Sequence, residues 1–177
     1  MPKKLKYNEA ADPADFAPDF KKNPEPYGHP VQEVIDCFSQ LPTGSHIVDF
    51  AGGYGKYGMP LLKMGFDVTI VDIHQPSLDE ARRRSDLLPH GSGKLRTINT
   101  DVLRDGMPNF PDRVDGVLSI GFMHHLTNDA AQSLFEDMTD RLNSAGIAVI
   151  EFSTDKHRRM PDGTPILVSG APEHNLS

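Results

Sequence analysis

The chain has little cysteine, no long apolar run and no excess of positive charge, and each shortage excludes a class of protein. The single cysteine, Cys37, rules out an intramolecular disulfide and any cysteine-rich metal centre. It lies in VQEVIDCFSQL, where helical spacing predicts a place in the core. No stretch approaches the roughly 20 apolar residues needed to cross a bilayer, so no membrane role is expected. The net charge is −7 at pH 7, which argues against a general nucleic-acid binder. The basic clusters Lys3–Lys6, Arg82–Arg84 and Lys156–Arg159 read as solvated surface. The opening MPKKLKYNEA continues into polar, proline-containing sequence and does not resemble a secretory leader, so a cytoplasmic location is expected. A chain of 177 residues normally forms one domain.

What is present is concentrated in HIVDFAGGYGKYGMPLLKMGFDVTIVDI, His46 to Ile73. An apolar run, His46–Phe50, carries Asp49 near its end. Gly52, Gly53, Gly55 and Gly58 follow, then a helix-like segment Tyr57–Met64. A second apolar run, Val68–Val71, stops at Asp72. This order builds a βαβ unit whose first turn lets a ligand approach the backbone. Glycine is needed there because a Cβ would block the ligand or forbid a positive φ. A carboxylate ending the second strand can accept two hydrogen bonds from a ribose diol. The unit therefore points to a nucleoside-containing cofactor.

Two cofactor classes fit. Gly53-x-Gly55-x-x-Gly58 matches the dinucleotide fingerprint, with Asp72 at the expected distance, and taken alone favours NAD. Asp49 argues against it, because a carboxylate at that strand tip repels a pyrophosphate but suits a ligand carrying an ammonium and a sulfonium. The short chain also leaves little room for a separate substrate domain.

Later segments extend the pattern. TINTDVL carries Asp101, VDGVLSIGFMHHL spans Val114–Leu126, and SAGIAVIEF spans Ser144–Phe152. With the acid and glycine loop Asp49–Gly55 and the acid Asp72, these five motifs resemble class I S-adenosylmethionine-dependent methyltransferases, over roughly Val31 to Ser153. Locally the chain is similar to tellurite-resistance-type and quinone-biosynthesis-type members. The resemblance implies a Rossmann-like, doubly wound α/β fold: a mostly parallel sheet with helices on both faces. It implies S-adenosyl-L-methionine as cofactor. The loop Ala51, Gly52, Gly53 and Gly55 would underlie its methionine half, Asp49 would orient that half directly or through water, and Asp72 would hold the ribose. Ile73 and Val102 would sandwich the adenine, with Asp101 accepting from its amino group. The backbone of Ile120 and Gly121 would face the ammonium. His124 and His125 are the candidate catalytic bases, since imidazole titrates near neutrality; the alternative is that they hydrogen-bond backbone and line the wall. No metal site is expected.

The sequence departs from the family at two places. Ala51 stands where a glycine is usual. The short stretch after Ser153 leaves the family's C-terminal hairpin truncated or rebuilt. The domain reading is an irregular arm over 1–29, a cofactor-binding domain over 30–155 and an irregular tail over 156–177. The arm either folds over the cofactor, as in resembling enzymes, or is a surface strap. Tyr54 and Tyr57 either touch substrate or pack.

Elements are expected as a helix from Pro30 with the stripe Val31, Val34, Ile35, Phe38; a helix Gln75–Leu88 opened by a capping box at Ser77–Glu80; a strand Leu95–Thr100; and a strand Val114–Ile120. A helix capped by Thr127 follows, with apolar face Ala131, Leu134, Phe135, Met138 and Leu142. Asn143–Gly146 then turns into a strand Ile147–Phe152.

No (D/N/S)-P-P-(Y/F/W) motif follows strand four, which disfavours amino methylation of adenine or glutamine. No cysteine lies near the site, so methylation through a thiol adduct is excluded. A small-molecule methyl acceptor is the expected partner, with neither nucleic acid nor membrane. A second copy or a partner chain could cover an open sheet edge. The rival functions are a non-catalytic cofactor-binding module or partner-dependent subunit, and an NAD-binding domain.

Overall fold

In a computed structural model, residues 18–110 and 113–152 are described. Five strands form one parallel sheet: β1 His46–Phe50, β2 Asp67–Asp72, β3 Leu95–Asn99, β4 Val114–Ser119 and β5 Leu142–Ile150. Their order is β3-β2-β1-β4-β5, and every neighbouring pair is parallel. The helices are α1 Gln32–Asp36, α2 Gly58–Lys63, α3 Gln75–Ser85 and α4 Asn128–Thr139. The doubly wound α/β fold expected from the strand–helix alternation is the fold observed.

The central strands β1, β2 and β4 are buried on both faces because both faces are covered. Ile47, Val68, Ile70 and Leu118 face one core, closed by Ile35, Phe38, Leu61, Leu62, Leu78 and Ala81 from the segments around α1, α2 and α3. Val48, Phe50, Val71 and Val117 face the other, closed by Ala130, Leu134 and Met138 of α4 and by loop residues such as Phe110 and Met123. Asp49 shares the face of Ile47 by the two-residue strand period, so its carboxylate turns toward the α2 side. β1 lies between β2 and β4. The chain reverses its winding direction there, and ligands bind beyond the strand ends at such a point.

Several local expectations are corrected. The first helix is shorter than its stripe: a 3₁₀ turn, Cys37–Gln40, completes it, Ile35 and Phe38 are buried, and Val31 is exposed. Cys37 is exposed rather than core, and its thiol donates to the Glu33 carbonyl at 3.2 Å. His74, not Ser77, occupies the cap position of α3. The Ser77 hydroxyl lies 2.8 Å from His74 Nδ1, while Glu80 pairs with Arg83 and Arg84 instead of closing a capping box. Pro76 in the first turn needs no N–H, which lets a residue without a side-chain cap start the helix.

Thr127 does cap α4, its hydroxyl accepting from Ala130 N at 3.4 Å. The buried stripe is Ala130, Leu134 and Met138; Ala131 is only partly buried, Phe135 is 38% exposed and Leu142 already belongs to β5. The expected turn at Asn143–Gly146 is a bulge inside β5. Val114 pairs with Leu142 but Gly116 pairs with Ile147, so the extra residues loop out against Asp115. Asn143 Nδ2 donates to Asp115 Oδ1 at 2.6 Å and holds the loop to β4.

Residues 18–31 carry no helix or strand and pack against α3 and the glycine loop through the contacts given below. The expected tail 156–177, the clusters Lys3–Lys6 and Lys156–Arg159, and the start of the arm lie outside the described residues. No described helix is long and apolar enough to cross a membrane.

Candidate active site

A cavity of about 580 Å3 opens beyond the carboxyl ends of β1, β2 and β4. That volume lies within the range typical of small-molecule and cofactor sites.

Its floor is the turn after β1. Ala51 N donates to Val71 O at 2.7 Å, and Gly55 N donates to Gly52 O at 2.9 Å. Ala51 itself has φ +55°, the only non-glycine residue in the left-handed region among the described residues. The usual glycine is therefore replaced at a position whose backbone favours glycine. At Gly52 the constraint is contact: a Cβ would lie 2.5 Å from both Cγ and Oδ2 of Asp49. The glycine makes room for the acid beneath it.

Asp49 is 2% exposed, and Oδ2 has no hydrogen-bond partner. Burial, and then the neighbouring Asp72, push its carboxyl up to about 8; a hydrogen bond from the Gly58 backbone pulls the other way. A group in this state takes up a cationic partner readily, since a positive charge restores its ionised form.

Asp72 ends β2 and is held from both sides. Gly53 N donates to Oδ2 at 2.9 Å and His74 N donates to Oδ1 at 2.7 Å. Burial raises its pKa, and these two N–H groups oppose the rise. The fixed carboxylate keeps lone pairs for a diol, because each oxygen can accept more than one bond.

Asp49, Ala51, Gly52, Gly53, Asp72, Ile73, Val102, Ile120, Gly121, His124 and His125 all line the cavity. The imidazoles of His124 and His125 lie with ring centroids 4.0 Å apart. Two expected residues do not line it. Gly55 packs behind the loop, where a Cβ would meet Met59 Cε at 2.6 Å and Ile70 Cδ1 at 3.2 Å. Asp101 turns its carboxylate into its own loop, where Oδ1 accepts from Leu103 N at 3.0 Å and Arg104 N at 3.3 Å. It shapes the segment that presents Val102.

The cavity also holds Glu151, Lys56, Ser77, Thr100 and Phe122, which sequence reasoning left without a role there, and three tyrosines for which it had left a place at the site open, Tyr27, Tyr54 and Tyr57. Glu151, one residue past β5, accepts from Gly121 N through Oε2 at 2.7 Å. The signal for it was available, since β1 and β2 also carry an acid at or near their carboxyl ends. Tyr27 reaches the cavity from the N-terminal segment and stacks on Tyr54, with centroids 5.9 Å apart and planes 13° apart. Lys56, Ser77, Thr100 and Phe122 complete much of the wall. Tyr54 and Tyr57 are both buried and both line it. Among the described residues no group of His, Cys, Asp or Glu is arranged to hold a metal ion.

Residues 47–146 match the family model described as a methyltransferase domain. No curated protein sequence matches the chain. Solved structures with the same fold include a TehB-like SAM-dependent methyltransferase from Corynebacterium glutamicum, at 22% identity and TM-score 0.59, over 80% of this chain and 73% of that one. The glycopeptide N-methyltransferase MtfA, complexed with S-adenosylmethionine, matches at 17% identity and TM-score 0.58, over 75% and 59%. TehB from Haemophilus influenzae matches at 18% identity and TM-score 0.54, over 83% and 61%. The chain thus spans about three fifths of the length of the last two. At these identities the structural likeness speaks for the fold, and the family match for membership. Together with the acid–glycine loop and the acid at the end of β2, they place the chain in the methyltransferase-domain family, of the class I, S-adenosylmethionine-dependent type.

Proposed function

We propose that the chain transfers a methyl group from S-adenosylmethionine to a small-molecule acceptor. The observation that carries this reading is Asp49: a buried carboxylate with an unpartnered oxygen, directly under the glycine loop. The cationic half of S-adenosylmethionine draws this acid into its ionised form and pairs with it, whereas a pyrophosphate would hold it protonated and gain no ion pair. Asp72 holds the ribose diol, fixed by the Gly53 and His74 amides. Ile73 and Val102 bracket the adenine, with Thr100 beside them. Gly121 and Ile120 offer backbone to the ammonium. Asp101 acts from behind, by ordering the loop that carries Val102.

When bound, the cofactor supplies an activated methyl carbon on sulfur. The protein's work is then positioning and exclusion of water. Tyr57 and Phe122 are buried apolar walls that keep water out, and half-exposed Tyr27 stands at the mouth. A nitrogen of His124 or His125 takes the proton of an acceptor that arrives protonated, a step that typically contributes about 10²–10⁴-fold. A partly open cavity of this size suits a small acceptor beside the cofactor.

The test is calorimetric titration of the purified protein with S-adenosylmethionine, S-adenosylhomocysteine and NAD. Micromolar binding of the first two is expected, followed by transfer of a labelled methyl group in an acceptor screen. Binding of NAD alone would overturn the reading. If both histidines are replaced by Gln, transfer should fall by about 10²-fold or more with cofactor affinity unchanged.

A further inference from the structure

Arg84 belongs to a cluster of three arginines on α3 that reads as solvated surface. Arg82 and Arg83 fit that reading: their side chains are 47% and 62% exposed and pair with Asp79 and Glu80 on the same helix. Arg84 does not. Its side chain is 17% exposed, and each of its three guanidinium nitrogens donates a hydrogen bond. Nε donates to Glu80 Oε1 at 2.8 Å within α3. Nη1 donates to Glu25 Oε1 at 2.8 Å, and Nη2 donates to the Pro24 carbonyl. Both of those partners belong to the N-terminal segment, some sixty residues away in sequence.

The face of the same guanidinium covers the Tyr54 ring, with Cζ 4.4 Å from the centroid. Tyr54 is 1% exposed and stands in the glycine loop between Gly53 and Gly55, both at positive φ. Its ring also stacks on Tyr27 and takes the edge of Phe20 at 5.3 Å. Tyr27 is fixed a second time, by Lys56 Nζ donating to its carbonyl at 2.8 Å. Arg84 does not line the cavity. It ties α3 to both the segment carrying Tyr27 and the loop carrying Tyr54, two pieces that also meet through the Tyr27–Tyr54 stack and the Lys56–Tyr27 bond.

We propose that Arg84 is a positioning residue: it latches residues 18–31 over the cavity mouth and, through Tyr54, holds the glycine loop in its cofactor-binding shape. This rests on the cofactor reading given above. The physics follows from the planar fork of arginine, which can bind two partners in its plane while stacking on a third; lysine cannot do all of these at once. Without the latch, the segment loses its two charge-assisted bonds. Tyr27 then leaves the cavity wall, Tyr54 loses the partners that bury it, and Gly53, whose amide orients Asp72, loses its support.

The experiment uses the full chain, with S-adenosylhomocysteine as probe. Affinity is measured by calorimetry, and backbone protection of residues 18–31 by hydrogen exchange with and without the probe. For Arg84→Ala, affinity should fall at least about tenfold, and the probe should no longer protect residues 18–31. Arg84→Lys should fall between the two. The charge-swapped pair Glu25→Arg with Arg84→Glu should bind better than Arg84→Glu alone. A purely structural arginine would lower the unfolding midpoint of Arg84→Ala while leaving the affinity and the ligand-dependent protection as in the wild type; that result overturns the proposal. Failure of the wild-type protein to bind the probe would instead overturn the cofactor reading on which the latch depends.

Discussion

Replacing Asp49 by Asn tests whether the site stores a buried acid at a cost to stability. In the folded protein the carboxyl is pushed up to about 8, against an ordinary value of 3.8. The direction is opposite to that of a salt-bridged acid. Between these values the folded state keeps its proton and the unfolded state has lost it. The unfolded state therefore binds fewer protons, and stability falls as pH rises. Each pH unit inside the window costs about 1.4 kcal/mol, so between pH 5 and pH 7 the wild type should lose about 2–3 kcal/mol through this one group. The loss should level off above about pH 8.

Asparagine cannot titrate and has nearly the same shape. It leaves an amide in a buried place, which adds a cost that does not depend on pH. The quantity to measure is therefore the difference between variant and wild type, followed across pH, because every other titrating group cancels. Urea unfolding followed by far-UV circular dichroism at pH 5, 6, 7 and 8 gives it. The variant should gain about 2–3 kcal/mol on the wild type between pH 5 and pH 7, while its affinity for S-adenosylmethionine falls. A difference that stays flat across this range, or that moves in favour of the wild type, would refute the reasoning. The trade is a familiar one, in which a binding residue is kept at the expense of the apo fold.

Three further substitutions address the same floor. Asp72→Ala should abolish measurable calorimetric binding of S-adenosylmethionine while the circular dichroism spectrum is retained, because the sheet does not need this carboxylate but the Gly53 and His74 amides do. Ala51→Gly should stabilise the protein by about 1 kcal/mol, read as a higher urea midpoint at unchanged slope, since a residue with a Cβ is strained at φ +55°. Gly52→Ala should lower both the urea midpoint and the affinity for S-adenosylhomocysteine, because the new Cβ would lie 2.5 Å from the Asp49 carboxyl and must displace it.

The fold was largely legible because its evidence is local. Apolar runs ending in acids, glycines directly after the first, and helical stripes between strands all follow from short-range backbone chemistry. Five strands in a doubly wound order are close to the only way to bury such runs on both faces. The misreadings lie where the residue pattern leaves the local backbone path open, and in one case where a neighbour distant in sequence decides. Cys37 was read as core from its spacing, but the helix gives way to a 3₁₀ turn that leaves the thiol exposed. Ser77 looked like a cap until His74 took the position. The turn expected at Asn143–Gly146 became a bulge because Asp115 on β4 holds it there.

The same division runs through the site. From the sequence alone came the glycine loop, Asp49 and Asp72, the histidine pair and the methyltransferase-like order of motifs, since each is written in consecutive residues. Only the tertiary structure decided that Asp49 is sealed under Gly52, that Asp101 turns into its own loop, that Glu151 joins the cavity and that Arg84 leaves the surface to hold Tyr54 and the segment at Glu25. Burial, electrostatic neighbours and the direction of a side chain depend on which distant segments pack together. No local pattern carries that information.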